Sequence, residues 1–174
     1  WSRDGRFLVL EVLKTGGKTK DDIWLLPLFG DRKAYPFLAT EFDEEGASFS
    51  PDGRWLSYTS NETGRRELYV VPFPGPGGKW QISTSGALGG IWIRGGREIL
   101  YGTLDFVATS VEVKAGKSGL EIGAPKTLFQ IPGAGPPPAV TPDGERWLFV
   151  VYPEASESPR VGLVTNWTAG LTGK

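Results

Sequence analysis

A short phrase recurs four times along this chain, and its spacing limits the fold more than any other feature. It reads Trp1-Ser2-Arg3-Asp4-Gly5-Arg6-Phe7-Leu8, then Phe49-Ser50-Pro51-Asp52-Gly53-Arg54-Trp55-Leu56. A decayed copy is Trp92-Ile93-Arg94-Gly95-Gly96-Arg97-Glu98-Ile99-Leu100, and a fourth is Val140-Thr141-Pro142-Asp143-Gly144-Glu145-Arg146-Trp147-Leu148. Gly5, Gly53, Gly96 and Gly144 lie 48, 43 and 48 residues apart. A second phrase follows the first three copies: Asp22-Ile23-Trp24-Leu25-Leu26-Pro27-Leu28, Glu67-Leu68-Tyr69-Val70-Val71-Pro72-Phe73, and Asp105-Phe106-Val107-Ala108-Thr109-Ser110-Val111. A weaker trace lies around Val161 to Val164. Two phrases in register at one period make the chain a tandem array, in which each unit buries its faces against its neighbours.

Each unit reads as a small antiparallel sheet. A short apolar strand runs into Asp-Gly, a strong hairpin signal, where Gly takes positive φ and Asp bonds the backbone two residues on. The next predicted strand, Trp55 to Thr59, is rich in aromatic and β-branched residues. A polar loop, Asn61 to Arg65, leads to a third strand, Leu68 to Phe73, and a Pro/Gly loop, residues 74–78, to a fourth, Lys79 to Ser83. Four short strands in 43 to 48 residues is the blade of a β-propeller. The expected fold is all-β, with four-stranded antiparallel blades and four repeats, a partial propeller. Residues 1–174 form a single propeller region, with repeats at about 1–40, 41–84, 85–131 and 132–174. No segment shows helical periodicity. Pro27 and Pro72 end or edge their strands, where a missing N–H costs least. The run Pro136-Pro137-Pro138 reads as a stiff inter-blade connection.

The terminal blades read as incomplete: only Trp1-Ser2 precede the first turn, and no fourth strand is evident after Trp167. Open blade edges invite pairing with another chain. The chain is therefore expected to close as a small four-bladed ring or to self-associate through these edges.

Missing residue types exclude much chemistry. With no Cys and no His, disulfides, thiol catalysis, imidazole acid–base catalysis and His- or Cys-ligated metals are out. Nineteen Lys and Arg against 20 Asp and Glu leave no basic footprint for nucleic acid. No apolar run approaches 18 residues, so no membrane insertion is expected. No basic start followed by an apolar stretch marks a signal peptide. Met is absent, so the chain is expected to be cut from, or engineered out of, something longer.

Individual residues carry weaker signals. Asp4, Asp52 and Asp143 read as turn chemistry repeated once per blade rather than as metal ligands. Asp22, Glu67 and Asp105, just before the third strands, recur by position and read the same way. Glu41, Asp43, Glu44 and Glu45 place four carboxylates in five residues of a loop, the chemistry calcium prefers, but without the spacing of the twelve-residue calcium loop. A solvated loop is the simpler reading, and no metal or cofactor is assigned. Trp24, Tyr69 and Val107 occupy matching places as a candidate aromatic row, with packing between blades preferred over a ligand platform. Trp55 and Trp147 read as inter-blade core. Arg65 and Arg66, with Lys14, Lys18 and Lys20, form a candidate basic spot, but Asp21, Asp22, Glu62 and Glu67 beside them make it a mixed rim. No Gly-x-Ser-x-Gly elbow or singled-out acid pair marks a catalytic residue, and no binding residue is singled out. The Asn-x-Thr triplets at Asn61 and Asn166 carry no weight.

The Ser-Pro-Asp-Gly-Arg phrase followed by Asp-Ile-Trp or Glu-Leu-Tyr-Val-Val resembles the TolB-type, or WD-like, propeller repeat, over nearly the whole chain. The run Asn61-Glu62-Thr63-Gly64-Arg65-Arg66-Glu67-Leu68-Tyr69-Val70 and the ending Leu163-Val164-Thr165-Asn166-Trp167-Thr168 are similar to the propeller that follows the kinase domain in many bacterial eukaryote-like serine/threonine kinases. That resemblance implies a non-catalytic sensor or interaction region of a larger signalling protein, with a protein or peptide partner, on the extracytoplasmic side of a bacterial membrane. The chain departs from the pattern at Gly95, which replaces the turn Asp, and in the fourth repeat's third strand. It lacks a Gly-rich nucleotide loop and a His-Arg-Asp loop, so phosphoryl transfer cannot reside here. Similar propellers gate prolyl-oligopeptidase-type peptidases or, as periplasmic TolB-like proteins, serve envelope assembly. Those two alternatives stay open.

Overall fold

In the computed structural model, residues 1–13, 21–75, 77–116, 119–131 and 138–150 are described in full, and residues 151 and 160–165 by their backbone. All strand pairings are antiparallel, and the strands fall into four consecutive sheets. The first holds β1 (Phe7–Val12), β2 (Asp22–Pro27) and β3 (Tyr35–Leu38) in that order. The second is a complete blade of β4 (Glu44–Phe49), β5 (Trp55–Ser60), β6 (Glu67–Pro72) and a two-residue β7 (Trp80–Gln81). The third holds β8 (Gly90–Ile93), β9 (Glu98–Gly102), β10 (Val107–Gly116), β11 (Gly119–Ile122) and β12 (Lys126–Gln130). The fourth holds β13 (Ala139–Val140), β14 (Arg146–Val151) and β15 (Arg160–Thr165).

The repeated phrase builds the same hairpin three times, from bonds that span only six residues. Ser2 Oγ donates to Asp4 Oδ1 (2.6 Å), the Arg6 N–H donates to the same oxygen (3.0 Å), and the Phe7 N–H donates to Ser2 Oγ (2.8 Å). Ser50, Asp52, Arg54 and Trp55 repeat this at 2.6, 3.1 and 3.0 Å. Thr141, Asp143, Glu145 and Arg146 repeat it again. Gly5, Gly53 and Gly144 follow the Asp with φ of 70°, 69° and 77°, a region closed to most side chains.

In the third copy Gly95 takes the Asp position, and the latch is replaced by a 3-10 turn over Arg94–Gly96. Arg94 instead ties the third blade to the fourth. Its N–H donates to the Pro142 carbonyl (2.7 Å), and its guanidinium reaches Glu98 (3.2 Å) and Glu145 (3.4 Å).

These bonds favour the ionised aspartate. Ser2 and the Arg6 N–H hold Asp4 below its ordinary value, and Thr141 and the Glu145 N–H do the same for Asp143. At Asp52 burial opposes ionisation, but Ser50 and Arg54 outweigh it and the pKa is lowered. A depressed folded pKa contributes stability above the ordinary 3.8 that is lost as pH falls through the folded value. Asp52→Ala should cost about 1 kcal/mol at pH 7, lowering Tm by about 2–4 °C. In thermal melts across pH, its gap to wild type should close below pH 3.8.

Strand alternation gives each blade one face toward each neighbour. Leu56, Tyr58 and Tyr69 pack on Ile23 and Leu25 of the first blade. Leu68 and Val70, on the other face, pack on Trp92, Ile99, Tyr101 and Val111 of the third. Leu100 and Ala108 then pack on Trp147 and Phe149 of the fourth. The core is thus three inter-blade layers rather than one centre, as tandem repeats require. Trp92 also ties blades through its Nε1–H, which donates to Ser57 Oγ (3.0 Å) and to the Ser48 carbonyl (3.2 Å).

Three expected positions shift. The fourth strand of the second repeat is shorter than Lys79 to Ser83, because Ile82 and Ser83 turn inward to meet the Leu68 backbone. Glu44 and Glu45, expected in a loop, open β4. Val107 is not the counterpart of Tyr69. Tyr58 pairs with Tyr69 and Leu10 with Trp24, whereas Tyr101 pairs with Thr109. The tight turn from Thr103 to Phe106 puts Val107 opposite Thr103, in the place Glu67 holds opposite Ser60.

Candidate functional site

The loops joining second to third strands, and those joining one blade to the next, converge on one rim. The Ala87 N–H donates to the Arg66 carbonyl (2.9 Å), Leu88 N–H to Gly102 (2.8 Å), and Glu44 N–H to Asp21 (2.8 Å). Most of the charged candidates lie here.

Glu67, the first residue of β6, is fully buried. Its carboxylate takes Arg65 Nε (2.7 Å), the Gly86 N–H on both oxygens (3.0 Å each) and the Ser83 hydroxyl. Ser83 Oγ in turn accepts the Leu68 N–H (2.9 Å). The carboxylate therefore staples the loop leading into the third blade onto β6. Asp22 begins β2 and is likewise buried, whereas Asp105 is exposed in its turn. The three acids matched by sequence are two buried strand residues and one turn residue.

The acidic cluster does not converge. Asp43 bonds Asn61, accepting from its Nδ2 and donating its own N–H (3.0 Å) to Asn61 Oδ1. Glu44 is held by the Thr40 hydroxyl and N–H, Glu45 pairs with Arg66 (2.7 Å), and Glu41 is exposed. Among the described residues no three Asp or Glu gather as a metal site. The basic spot resolves similarly: Arg65 is spent on Glu67 and on the Thr84 carbonyl (2.5 Å), and Arg66 on Glu45. Lys14, Lys18 and Lys20 lie outside the described residues, as do Pro136, Pro137, Asn166 and Trp167.

No aromatic row forms a platform. Tyr69 is buried against Tyr58 at 5.7 Å, Trp24 sits half-buried on the first blade, and the third place holds Thr109. Burial raises the phenols of Tyr58, Tyr69 and Tyr101 above their ordinary value, so they stay neutral. Trp147 is buried between the third and fourth blades, while Trp55 meets Trp80 edge-on at 5.5 Å on the opposite face of its strand position.

Glu44 is the rim acid whose environment disfavours charge. Burial raises its carboxyl above the ordinary 4.5, against the two Thr40 bonds, and Asp22 and Glu62 push the same way. A raised folded pKa contributes stability that is complete below the unfolded value and lost as pH rises through the folded one. Glu44→Gln, which mimics the protonated acid, should melt at or above wild type at pH 7, with the difference vanishing toward pH 4.

The rim also exposes apolar side chains. Leu88 and Leu104 are each 42% exposed, at the junction of residues 86–89 and 102–106. Leu104 lies over Gly86, where an added Cβ would fall 2.5 Å from its Cγ. Sequence reading missed this pair because neither leucine falls in the repeated phrases.

Blades in tandem, each with its loops on a common rim, define the architecture. It is that of a β-propeller. TolB from Agrobacterium tumefaciens superposes with a TM-score of 0.66 over 95% of this chain at 20% identity. A Mycobacterium tuberculosis puromycin-hydrolyzing peptidase superposes with 0.57 over 92% at 14% identity. By sequence, tricorn protease homolog 2 of Streptomyces coelicolor is 36% identical over 69 residues, 40% of this chain. The chain spans 56% of that TolB, 27% of the peptidase and 6% of the tricorn homolog. No family model matches the sequence. Among the described residues no helix is long and apolar enough to cross a membrane.

Proposed function

We propose that this chain is a non-catalytic interaction module, a propeller region that presents its rim loops to a protein or peptide partner for a larger bacterial signalling protein. The observation that carries it is the chemistry of the rim. Arg65, Arg66 and the buried Glu67 are consumed in holding loops together, and the same rim exposes the adjoining apolar pair Leu88 and Leu104. An apolar pair rimmed by paired charges suits a polypeptide better than a small charged ligand. The signalling role rests on the sequence resemblance at residues 61–70 to kinase-linked propellers. A second reading has its own support: similarity to a puromycin-hydrolyzing peptidase and to a tricorn protease homolog favours a substrate-gating region of a peptidase. The TolB likeness extends the same interaction role to an envelope partner protein.

The test places a photo-crosslinking amino acid at Leu104 in the full-length parent, with a control at the exposed Lys126 on β12. Adducts with one polypeptide from Leu104 alone support the module. Equal labelling from both sites, or turnover of ester or peptide substrates by the isolated chain, would overturn it. Adducts confined to a hydrolase domain of the parent would favour the gating reading.

A further inference from the structure

The exposed leucines of the rim belong to a continuous apolar patch. Leu88 and Ile131 both rest on the bare backbone of Gly102, where an added Cβ would fall 3.6 Å from Leu88 Cδ1 and 3.2 Å from Ile131 Cδ1. Leu104 lies over Gly86 beside them. The second and third blades carry this patch, and each packs against a blade on both of its faces, so the patch is not an end of the array. The turn that presents Leu104 is fixed by its own bonds. The Phe106 N–H donates to the Thr103 carbonyl (3.0 Å), and Gln130 Nε2 donates to the carbonyls of Asp105 (2.8 Å) and Phe106 (3.1 Å). A surface already ordered loses little freedom when it binds.

Acid flanks the patch on both sides. Asp105 follows Leu104 and is exposed, and its carboxylate meets no cation among the described residues. On the other side Gly89, next to Leu88, adjoins Gly46: a Cβ on Gly46 would lie 4.0 Å from the Gly89 Cα. The Gly46 N–H donates to Glu11 Oε1 (2.6 Å), and the exposed Glu11 likewise meets no cation among the described residues. The described cations that reach this rim are already paired, Arg65 with Glu67, Arg66 with Glu45 and Lys79 with Glu62. An anionic partner would bring like charge against both carboxylates, whereas a cation at either has no resident cation to displace. We propose, resting on the reading of this rim as an interaction surface, that the patch docks a basic segment of a partner polypeptide. An aliphatic side chain of that segment covers Leu88, Leu104 and Ile131, and a Lys or Arg on each side of it reaches Asp105 and Glu11. The apolar contact supplies most of the affinity, and the exposed ion pairs select sign and orientation.

The experiment is fluorescence anisotropy on the 174-residue chain with short labelled peptides. The probes carry a leucine pair between two lysines at several spacings, the same peptides with glutamate for lysine, and the same with serine for leucine. The lysine–leucine peptides should bind about tenfold tighter than either counterpart, and salt should weaken them. Asp105→Asn and Glu11→Gln keep shape and should each weaken binding about threefold, as loss of an exposed pair does. Leu104→Ser should weaken it about tenfold. Ile122→Ser, on β11 away from the rim, should leave it unchanged. All four side chains are exposed, so each variant should melt as wild type does. Glutamate or serine peptides binding as tightly as the lysine–leucine ones would overturn the basic segment, as would unchanged affinity in Asp105→Asn and Glu11→Gln, or failure of every peptide to bind. The photo-crosslinking at Leu104 decides the interaction role apart from this: an adduct there with one polypeptide keeps the role even where the peptides refute the basic segment.

Discussion

Glu67→Ala is expected to destabilise the chain by about 3 kcal/mol, since it leaves the buried donors of Ser83 and Gly86 without an acceptor. For a chain of this size that lowers Tm by about 6–12 °C. The carboxylate is fully buried and satisfies the Gly86 N–H, the Ser83 hydroxyl and Arg65 at once. Truncation strands the buried Ser83 and Gly86 donors, while the half-exposed Arg65 turns to water, and an unsatisfied buried donor costs more than the mean worth of a bond. Glu67→Gln keeps one acceptor and the shape, so its loss should be roughly half. Glu62→Ala, which breaks the partly exposed pair with Lys79, should cost less than about 1 kcal/mol. Urea or thermal unfolding of the three variants checks the order. Equal losses at Glu62 and Glu67 would mean that the staple is solvated and that the loop from Ser83 to Gly86 is held by its backbone alone.

The sequence disclosed what is local and hid what is not. The Ser-x-Asp-Gly hairpin was readable because all its bonds close within six residues, so the phrase carries its own geometry. The all-β class was readable for the same reason, copy by copy. Register across the sheet was not. It depends on loop length, and the tight turn from Thr103 to Phe106 displaces the third strand of the third blade relative to Tyr69 in the second. One residue separates the spacing of Gly53 to Trp55 from that of Gly144 to Trp147, and a period of two then sends the two indoles to opposite faces. The hairpin β10–β11, which extends the third blade sideways, belongs to no repeat phrase. The ties that hold blades together were also hidden, since Trp92 meets Ser57 across 35 positions and Glu67 meets Gly86 across 19. Nothing in composition marks a serine as a partner at that distance. At the rim, Asp43, Glu44, Glu45, Arg65 and Arg66 turned out to be scaffolding, and the exposed leucines were overlooked because a lone Leu in a loop carries no pattern.

Trp147→Ala should separate local from global stability in this array. The indole is 2% exposed, meets Phe129 edge-on at 5.0 Å, stacks with Phe149 at 5.8 Å, and donates its Nε1–H to the Gly144 carbonyl at 3.1 Å. Removing so large a buried ring costs about 3–5 kcal/mol. In a single-core protein that loss would be spread over every residue. Here it falls on one layer, the contact between the third and fourth blades, because the other two layers share no side chain with it. A tandem array has a stability close to a sum of units and nearest-neighbour contacts, so loss of one contact releases one end. Hydrogen exchange should show the amides of β14 losing their protection, together with that of Arg94, whose N–H bonds the fourth blade's turn at Pro142. The amides of β5 and β6 should exchange as in wild type. A uniform acceleration across all four blades would show instead that the layers unfold as one unit.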